Sequence, residues 1–424
     1  MPLAGSVRQS YVLPIRQNVW TIAARKCSSG CQNERKRYSM QLAETQQVLM
    51  SAISKKMQNQ PFTLAGFLAD IAHIPVFLYG AGAFGRQMFR LLAQNGIRVR
   101  GFLDRKAQPG QMLYGVPVYS PDSVDISQEE RKRSLLIVSI VLTLEERMPL
   151  FQSLNKLGFS QVVDGQSIRA REVPFSAACY EANWSDSELT GKICAAAELL
   201  ADGASREVYA RNLRAHILRN YDDYMESTDC CQYFTEDVPL AKGFTRFVDC
   251  GAYIGDTLTQ LVKKFGNVET YVGFEPDCES FGRLASTAAA LRHNLSQAFL
   301  YPCAVGGANQ MASIMLAEGS SALSESGETS VQVVSLDNVF VGFAPTFIKM
   351  DIEGAEVAAL HGAENVIRTS RPDLAVCIYH NISDYFEIPL LLHRWNPNYF
   401  FYLRAHSSCT METVLYVTER RKQQ

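Results

Sequence analysis

Apolar and polar positions alternate in blocks along most of the chain. "IPVFLY" (74–79) is a short unbroken apolar run, the pattern of a strand buried on both faces. "GRQMFRLLAQNG" (85–96) follows it, with Met88, Leu91 and Leu92 at helical spacing and Gly96 as the stop. "IRVRGFLD" (97–104), "SLLIVSIV" (134–141) and "FSQVVD" (159–164) read as further strands, and residues 145–158 as a helix. With a helical lead-in over about 41–72, this βα alternation predicts a small doubly wound, Rossmann-like α/β domain closing near residue 172. Residues 180–243 then lose the strand pattern. "AAAELLADGASREVYARNLRAHILRNYDDYM" (195–225) has helical spacing, which predicts a connecting helical layer without chemistry of its own.

From Phe244 the strands return: "RFVDC" (246–250), "ETYVGFE" (269–275), "AFLYPCAV" (298–305), "TFIKMD" (346–351) and "DLAVCIYH" (373–380). "MASIMLA" (311–317) and "SVQVVSL" (330–336) suit a hairpin. "NYFFYLRA" (398–405) and "ETVLYVT" (412–418) lie too close for an intervening helix, so an antiparallel pair should close the sheet. The expected organisation is a disordered or non-core tail (1–48), a nucleotide-binding domain (49–172), a helical connector (173–243) and a second α/β domain (244–424).

Composition narrows the class. The 424 residues are 47% apolar, enough for two or three domains with real cores, and a formal charge of −2 offers no global field for nucleic acid. The longest apolar run, "LLIVSIVL" (135–142), is strand-length, so no membrane span is expected. Eleven scattered cysteines, an odd number, suit a reducing cytoplasm. Cys27 and Cys31 lack the second ligand pair of a zinc site. The first 40 residues are basic, with no acid before Glu34. "VLPI" (12–15) interrupts any amphipathic stretch, so a tail, or a true start near Met40 or Met50, is expected over a transit peptide.

Two glycine elbows carry the candidate chemistry. In "FVDCGAYIGDT" (247–257), Gly251 and Gly255 tolerate a sharp turn and would let a ligand approach the backbone. Asp249 precedes them at the strand end. A carboxylate there would repel a diphosphate and suit a cation such as the sulfonium and ammonium of S-adenosylmethionine. Glu275, ending the next strand in "FEPD", is placed to accept ribose hydroxyls. "FIKMDIEGAEVAALHGAENVI" (347–367) delivers Asp351 to the same edge. Glu353 and Glu356 follow at the start of a helix, where carboxylates also favour the macrodipole.

"FVDCGAYIGDT", "YVGFEPD", "SLDNV" and "IKMDIEGAE", in this order, resemble the FkbM family of S-adenosylmethionine-dependent methyltransferases over about residues 244–405. "QYF" (232–234) is similar to bacterial members with an additional amino-terminal domain. The resemblance implies a class I methyltransferase fold, S-adenosylmethionine as donor, and a hydroxyl of a sugar or secondary metabolite as acceptor. It places the methionine end of the cofactor on Asp249, Gly251, Ala252, Gly255 and Thr257, and the ribose on Glu275. Backbone near Ala304 and Val305 would meet the adenine, and Asp351 falls where sulfonium and acceptor should meet.

Methyl transfer to a hydroxyl needs alignment, worth up to about 7–11 kcal/mol, and a base, worth about two to four powers of ten. The candidates are Asp351, Glu353 and His380. The same three could hold a divalent cation, but without a firmer third ligand base catalysis is expected and no metal.

The first elbow, "YGAGAFGR" (79–86), sets Gly80, Gly82 and Gly85 between a strand and a helix, with Asp104 ending the following strand. No acid precedes these glycines, so a phosphate can approach, and a nucleotide or nucleotide-sugar is the candidate ligand. This segment resembles small Rossmann-like domains of bacterial sugar-modifying enzymes. Docking or dimerisation is the competing role, and self-association stays open. Two rival readings of the whole chain remain. One is an NAD- or nucleotide-sugar-binding enzyme of polysaccharide synthesis using the first elbow. The other is a nucleotide-binding assembly protein with an inactive methyltransferase half.

Overall fold

The computed structural model describes residues 31–58, 64–140, 142, 144–165, 168, 186–218, 231–317, 320–323, 329–407 and 412–421. The first sheet contains β1 (Val76–Tyr79), β2 (Val99–Leu103), β3 (Met112–Leu113), β4 (Val116–Tyr119), β5 (Leu135–Val138) and β6 (Gln161–Asp164), in the order β3-β4-β2-β1-β5-β6. All neighbours are parallel except the β3–β4 pair. Alternate residues of β1 feed opposite faces: Val76 and Leu78 join Met88, Leu91 and Leu92, whereas Phe77 and Tyr79 pack with Leu154 and Phe159. Both faces are thus covered, which is why these strands read as unbroken apolar runs.

The second sheet holds β7 (Arg246–Cys250), β8 (Val268–Phe274), β9 (Leu295–Tyr301), β14 (Phe347–Met350), β15 (Asp373–Cys377), β16 (Phe400–Ala405) and β17 (Thr413–Thr418). Their order is β16-β17-β15-β14-β7-β8-β9. The five strands from β15 to β9 are parallel, and β17 slots antiparallel between β15 and β16, so the expected antiparallel closure is present. The order reverses between β7 and β14, a topological switch point where open α/β sheets place their ligands. The two strands expected over 311–336 also pair antiparallel, although another strand intervenes between them in the chain. β11 (Gln310–Ala317) and β13 (Thr329–Val334) pair antiparallel in a separate four-stranded sheet with β10 (Ala304–Val305) and β12 (Ser320–Leu323).

One boundary differs from the sequence reading. A helix over Cys31–Gln58 (α1) runs through the expected break at residue 48, and its Leu49, Ala52 and Ile53 are buried. They share a core with Ile193 and Ala196 of the helix Ser187–Leu199, with Val208 and Leu213 of the helix Gly203–Leu218, and with β7, β14 and β15. Residues 41–58 therefore belong by packing to the second sheet, not to the tail and the lead-in of the first. The helical layer lies against that sheet too: Leu403 N donates to Ser205 Oγ at 2.9 Å. Arg404, fully buried, ties Asp202 to Asp237. Cys27 and the basic residues through Arg25 and Lys26 lie outside the described residues. No helix among the described residues is long and apolar enough to cross a membrane.

Candidate active site

Strands β7, β8, β14 and β15 all end at one edge, and the side chains that follow them meet there. After β7 the chain turns through Gly251 at φ 80° and Gly255 at φ 81°. A Cβ on Gly251 would stand 1.9 Å from the carbonyl oxygen of Asp351, and one on Gly255 would stand 2.9 Å from Thr287 Cγ2. Packing inside the protein therefore requires glycine at both positions, against the Asp351 backbone at Gly251 and against the Thr287 side chain at Gly255. Ala252 and Thr257 are buried as well, and the side chain that the turn exposes is Tyr253, at φ 47°.

Asp249 also departs from expectation. It points into the fold, fully buried, with Oδ1 3.0 Å from Lys349 Nζ and Oδ2 accepting from Tyr271 Oη at 2.9 Å. Lys349 is its direct cross-strand partner in the β7–β14 pairing. Burial works against the lysine's charge, but the carboxylates of Asp249 and Asp351 outweigh it and hold its pKa above the ordinary lysine range. Asp249 is thus paired inside the fold with a cation of the protein's own.

Glu275 stands at the end of β8, where the sequence put it. Its Oε2 accepts from Tyr253 N at 2.9 Å and its Oε1 from Asp277 N at 2.8 Å. Burial raises its pKa, against the pull of those two donors. Each oxygen keeps a second lone pair after accepting one bond. Ala304 and Val305 pair with Val333 and Val334, and their side chains are buried, so any contact with a ring would be made by backbone.

Asp351 is the centre of the cluster. Its Oδ2 accepts from Tyr233 Oη at 2.6 Å, its Oδ1 accepts from Tyr379 Oη at 3.2 Å, and His380 Nε2 lies 3.6 Å from Oδ1. Burial would raise this carboxyl. The charges of Lys349 and His380 and the tyrosine bond overcome that and hold it below the usual range. Glu353, at φ 56°, brings Oε2 to 3.5 Å from His380 Nε2, and burial raises its pKa. Glu356 is fully buried; its Oε1 accepts from Ile352 N at 3.0 Å and lies 2.8 Å from His380 Nδ1.

Burial disfavours charge on His380, but Glu356, Asp351 and Glu353 reverse the balance and lift its pKa to about 9. The three carboxylates thus favour the protonated ring when nothing else is bound between them. The structure does bring Asp351, Glu353 and His380 together as expected.

Tyr233 is the residue that the sequence reading missed. It comes from the segment before β7, at φ 67°, with its backbone N–H donating to Tyr416 Oη at 2.9 Å. Glu412, at φ 52°, stands beside it through Gln232, which bonds both Tyr233 Oη and the Glu412 carboxylate. Tyr233, Tyr253, Glu353 and Glu412 are four of the six described non-glycine residues with positive φ, and all four ring this edge. A left-handed backbone costs such residues about 1–2 kcal/mol each, and strain of this kind concentrates at functional sites.

At the first elbow, Gly85 is required because its Cβ would stand 2.0 Å from Gly80 O, and Gly80 because its Cβ would meet Ile140 Cγ2 at 2.4 Å. Gly82 faces open space. Asp104 accepts from Ala81 N at 2.9 Å and from Lys106 N at 2.8 Å, the same pair of backbone bonds that Glu275 makes in the second sheet.

The family model for the methyltransferase FkbM domain matches residues 249–399, which takes in Asp249, Glu275, Asp351 and His380 and leaves out Tyr233. The crystal structure of Methyltransferase FkbM from Methylobacillus flagellatus KT covers 89% of this chain and 100% of its own, at a TM-score of 0.68 and 20% identity. That likeness establishes the fold. A Clostridium thermocellum chain assigned as an rRNA-methylase covers 44% of this chain at a TM-score of 0.27 and 9% identity, too low to carry an argument. No curated protein matches the sequence.

Proposed function

We propose, from the match of residues 249–399 to the FkbM methyltransferase family model, that the chain methylates a hydroxyl of a sugar, polysaccharide precursor or related metabolite with S-adenosylmethionine. The observation that carries the reading is the meeting of Asp351 with Tyr233, Tyr379 and His380 at the edge where Glu275 also ends its strand.

The residues present fit the cofactor. Glu275, fixed by two backbone donors, retains lone pairs for two ribose hydroxyls. The Ala252–Tyr253 turn would meet the methionine end, and backbone at Val305 the adenine. Asp351, Glu353 and Glu412 make the edge acidic, which favours a cationic ligand over a diphosphate. S-adenosylmethionine, when bound, supplies a methyl group made electrophilic by its sulfonium.

Asp351, with its carboxyl held low, stays ionised and accepts the hydrogen of an incoming hydroxyl. Glu353, raised by burial, is the stronger proton acceptor of the two. His380, charged, steadies both carboxylates through its Nε2 side. The acidic edge also supports a polyol acceptor, because carboxylates accept from hydroxyls and repel phosphates. At the first elbow, the bonding pattern shared by Asp104 and Glu275 favours a nucleotide or nucleotide-sugar as ligand. Calorimetry on the full chain and on Asp104→Ala tests this.

The main reading is tested by incubating the full chain with methyl-labelled S-adenosylmethionine and an extract from a strain lacking the protein. Label in an alkali-stable methyl ether is expected. Label in an ester or on nitrogen would overturn the hydroxyl acceptor, and no label with any acceptor would overturn the activity.

A further inference from the structure

The His380 ring is hydrogen-bonded at one nitrogen and makes only long ion-pair contacts at the other. Nδ1 is fixed by Glu356 at 2.8 Å, while Nε2 is buried without a hydrogen-bond partner and only 9% of the side chain is exposed. Nε2 is aimed between Asp351 Oδ1 at 3.6 Å and Glu353 Oε2 at 3.5 Å. A charge-assisted hydrogen bond would draw such pairs to about 2.7–2.9 Å. Adjacent donors on an ion with bonds of about 2.1–2.3 Å stand about 3.0–3.3 Å apart, close to the spacing seen. Donor atoms of Asp351, Glu356 and His380 also lie within 4.8 Å of one another, and Glu356 Oε2 is a second buried atom without a partner.

We infer that His380 Nε2 and Asp351, completed by the partly exposed Glu353, form a binding site for a divalent cation of the Mn2+ type. The donor set, one imidazole with carboxylates, suits such an ion better than a thiolate-seeking one. Glu356 is the orienting residue: by accepting from Nδ1–H it fixes the tautomer that presents the Nε2 lone pair, the carboxylate–histidine–metal arrangement. Tyr233 and Tyr379 fix the Asp351 carboxylate by donating one hydrogen bond to each of its oxygens. The ion takes the place of the imidazolium proton among three carboxylates. Its role at the reaction, binding the acceptor hydroxyl as a Lewis acid, rests on the methyltransferase reading; the binding of the ion does not.

The test is Mn2+ titration of the full chain without cofactor, followed by electron paramagnetic resonance. One Mn2+ per chain is expected, with nitrogen modulation from an imidazole ligand in the spin-echo signal. Binding should be lost in His380→Ala and weakened about ten- to hundredfold in Glu356→Gln. Absence of binding by the unaltered chain overturns the site, as does a bound Mn2+ without the nitrogen signature, and neither result depends on a variant folding. Calorimetry with S-adenosylmethionine in the presence of a chelator separates the two ideas: cofactor binding without Mn2+ binding defeats the cation site alone.

Discussion

Lys349 and Asp249 face each other across neighbouring strands, 3.0 Å apart and withdrawn from solvent. The pair sits directly beneath the edge where the candidate site is built: Lys349 also donates to Gly251 O at 2.5 Å, and its Nζ lies 5.2 Å from the Tyr233 ring centroid. It links the turn after β7 to the strand that carries Asp351.

Removing one member of such a pair strands a buried charge. Asp249→Asn and Lys349→Met are each expected to lower the unfolding free energy by about 3–5 kcal/mol, measured by urea denaturation. The double variant should lose less than the sum of the two. Strict additivity would mean that the pair does not act as a unit.

Asp351→Asn should reduce turnover by about two to four powers of ten while S-adenosylmethionine still binds in calorimetry. Tyr233→Phe, which leaves the carboxylate but removes its 2.6 Å donor, should cost about tenfold in kcat with little change in melting temperature. Unchanged turnover in Asp351→Asn would remove that residue from the chemistry.

Gly251→Ala places a methyl group 1.9 Å from Asp351 O on a backbone with φ 80°. The left-handed conformation alone costs about 1–2 kcal/mol, and the clash adds to it. Thermal denaturation should therefore show a clear loss of stability, whereas Gly82→Ala, with open space at its Cβ, should show little.

Burial holds the His216 imidazole down to about 4, from an ordinary value of 6.5. Between those values the unfolded chain takes up a proton that the folded chain refuses. Stability is therefore full above about pH 6.5 and falls as the pH drops toward 4, by about 3 kcal/mol from this group. Melting temperature followed over that window should flatten on its acid side in His216→Leu.

Much of this was legible in the sequence because it is local. The doubly wound sheets followed from apolar runs and turn residues, and the antiparallel closure from the short gap before "ETVLYVT". Asp351, Glu353 and His380 were found because each ends or follows a strand on the ligand edge. Asp249 was misread because its partner is remote in the chain. The available signal was a lysine inside the apolar run "FIKM", a buried cation that must find an acid. Tyr233 was visible only as part of "QYF", because its place in the site is set by a left-handed backbone and by Tyr416, features that residue type does not announce. The first helix was misplaced because its apolar face does not say which sheet it will cover.

That helix has a consequence for how the protein is made. The segment Cys31–Gln58 leaves the ribosome before the first sheet, yet its buried face finds partners only when residues 187–218 have followed. During synthesis the amino-terminal sheet must close while Leu49, Ala52 and Ile53 wait uncovered. A gene fragment cut between the two sheets would strand them permanently.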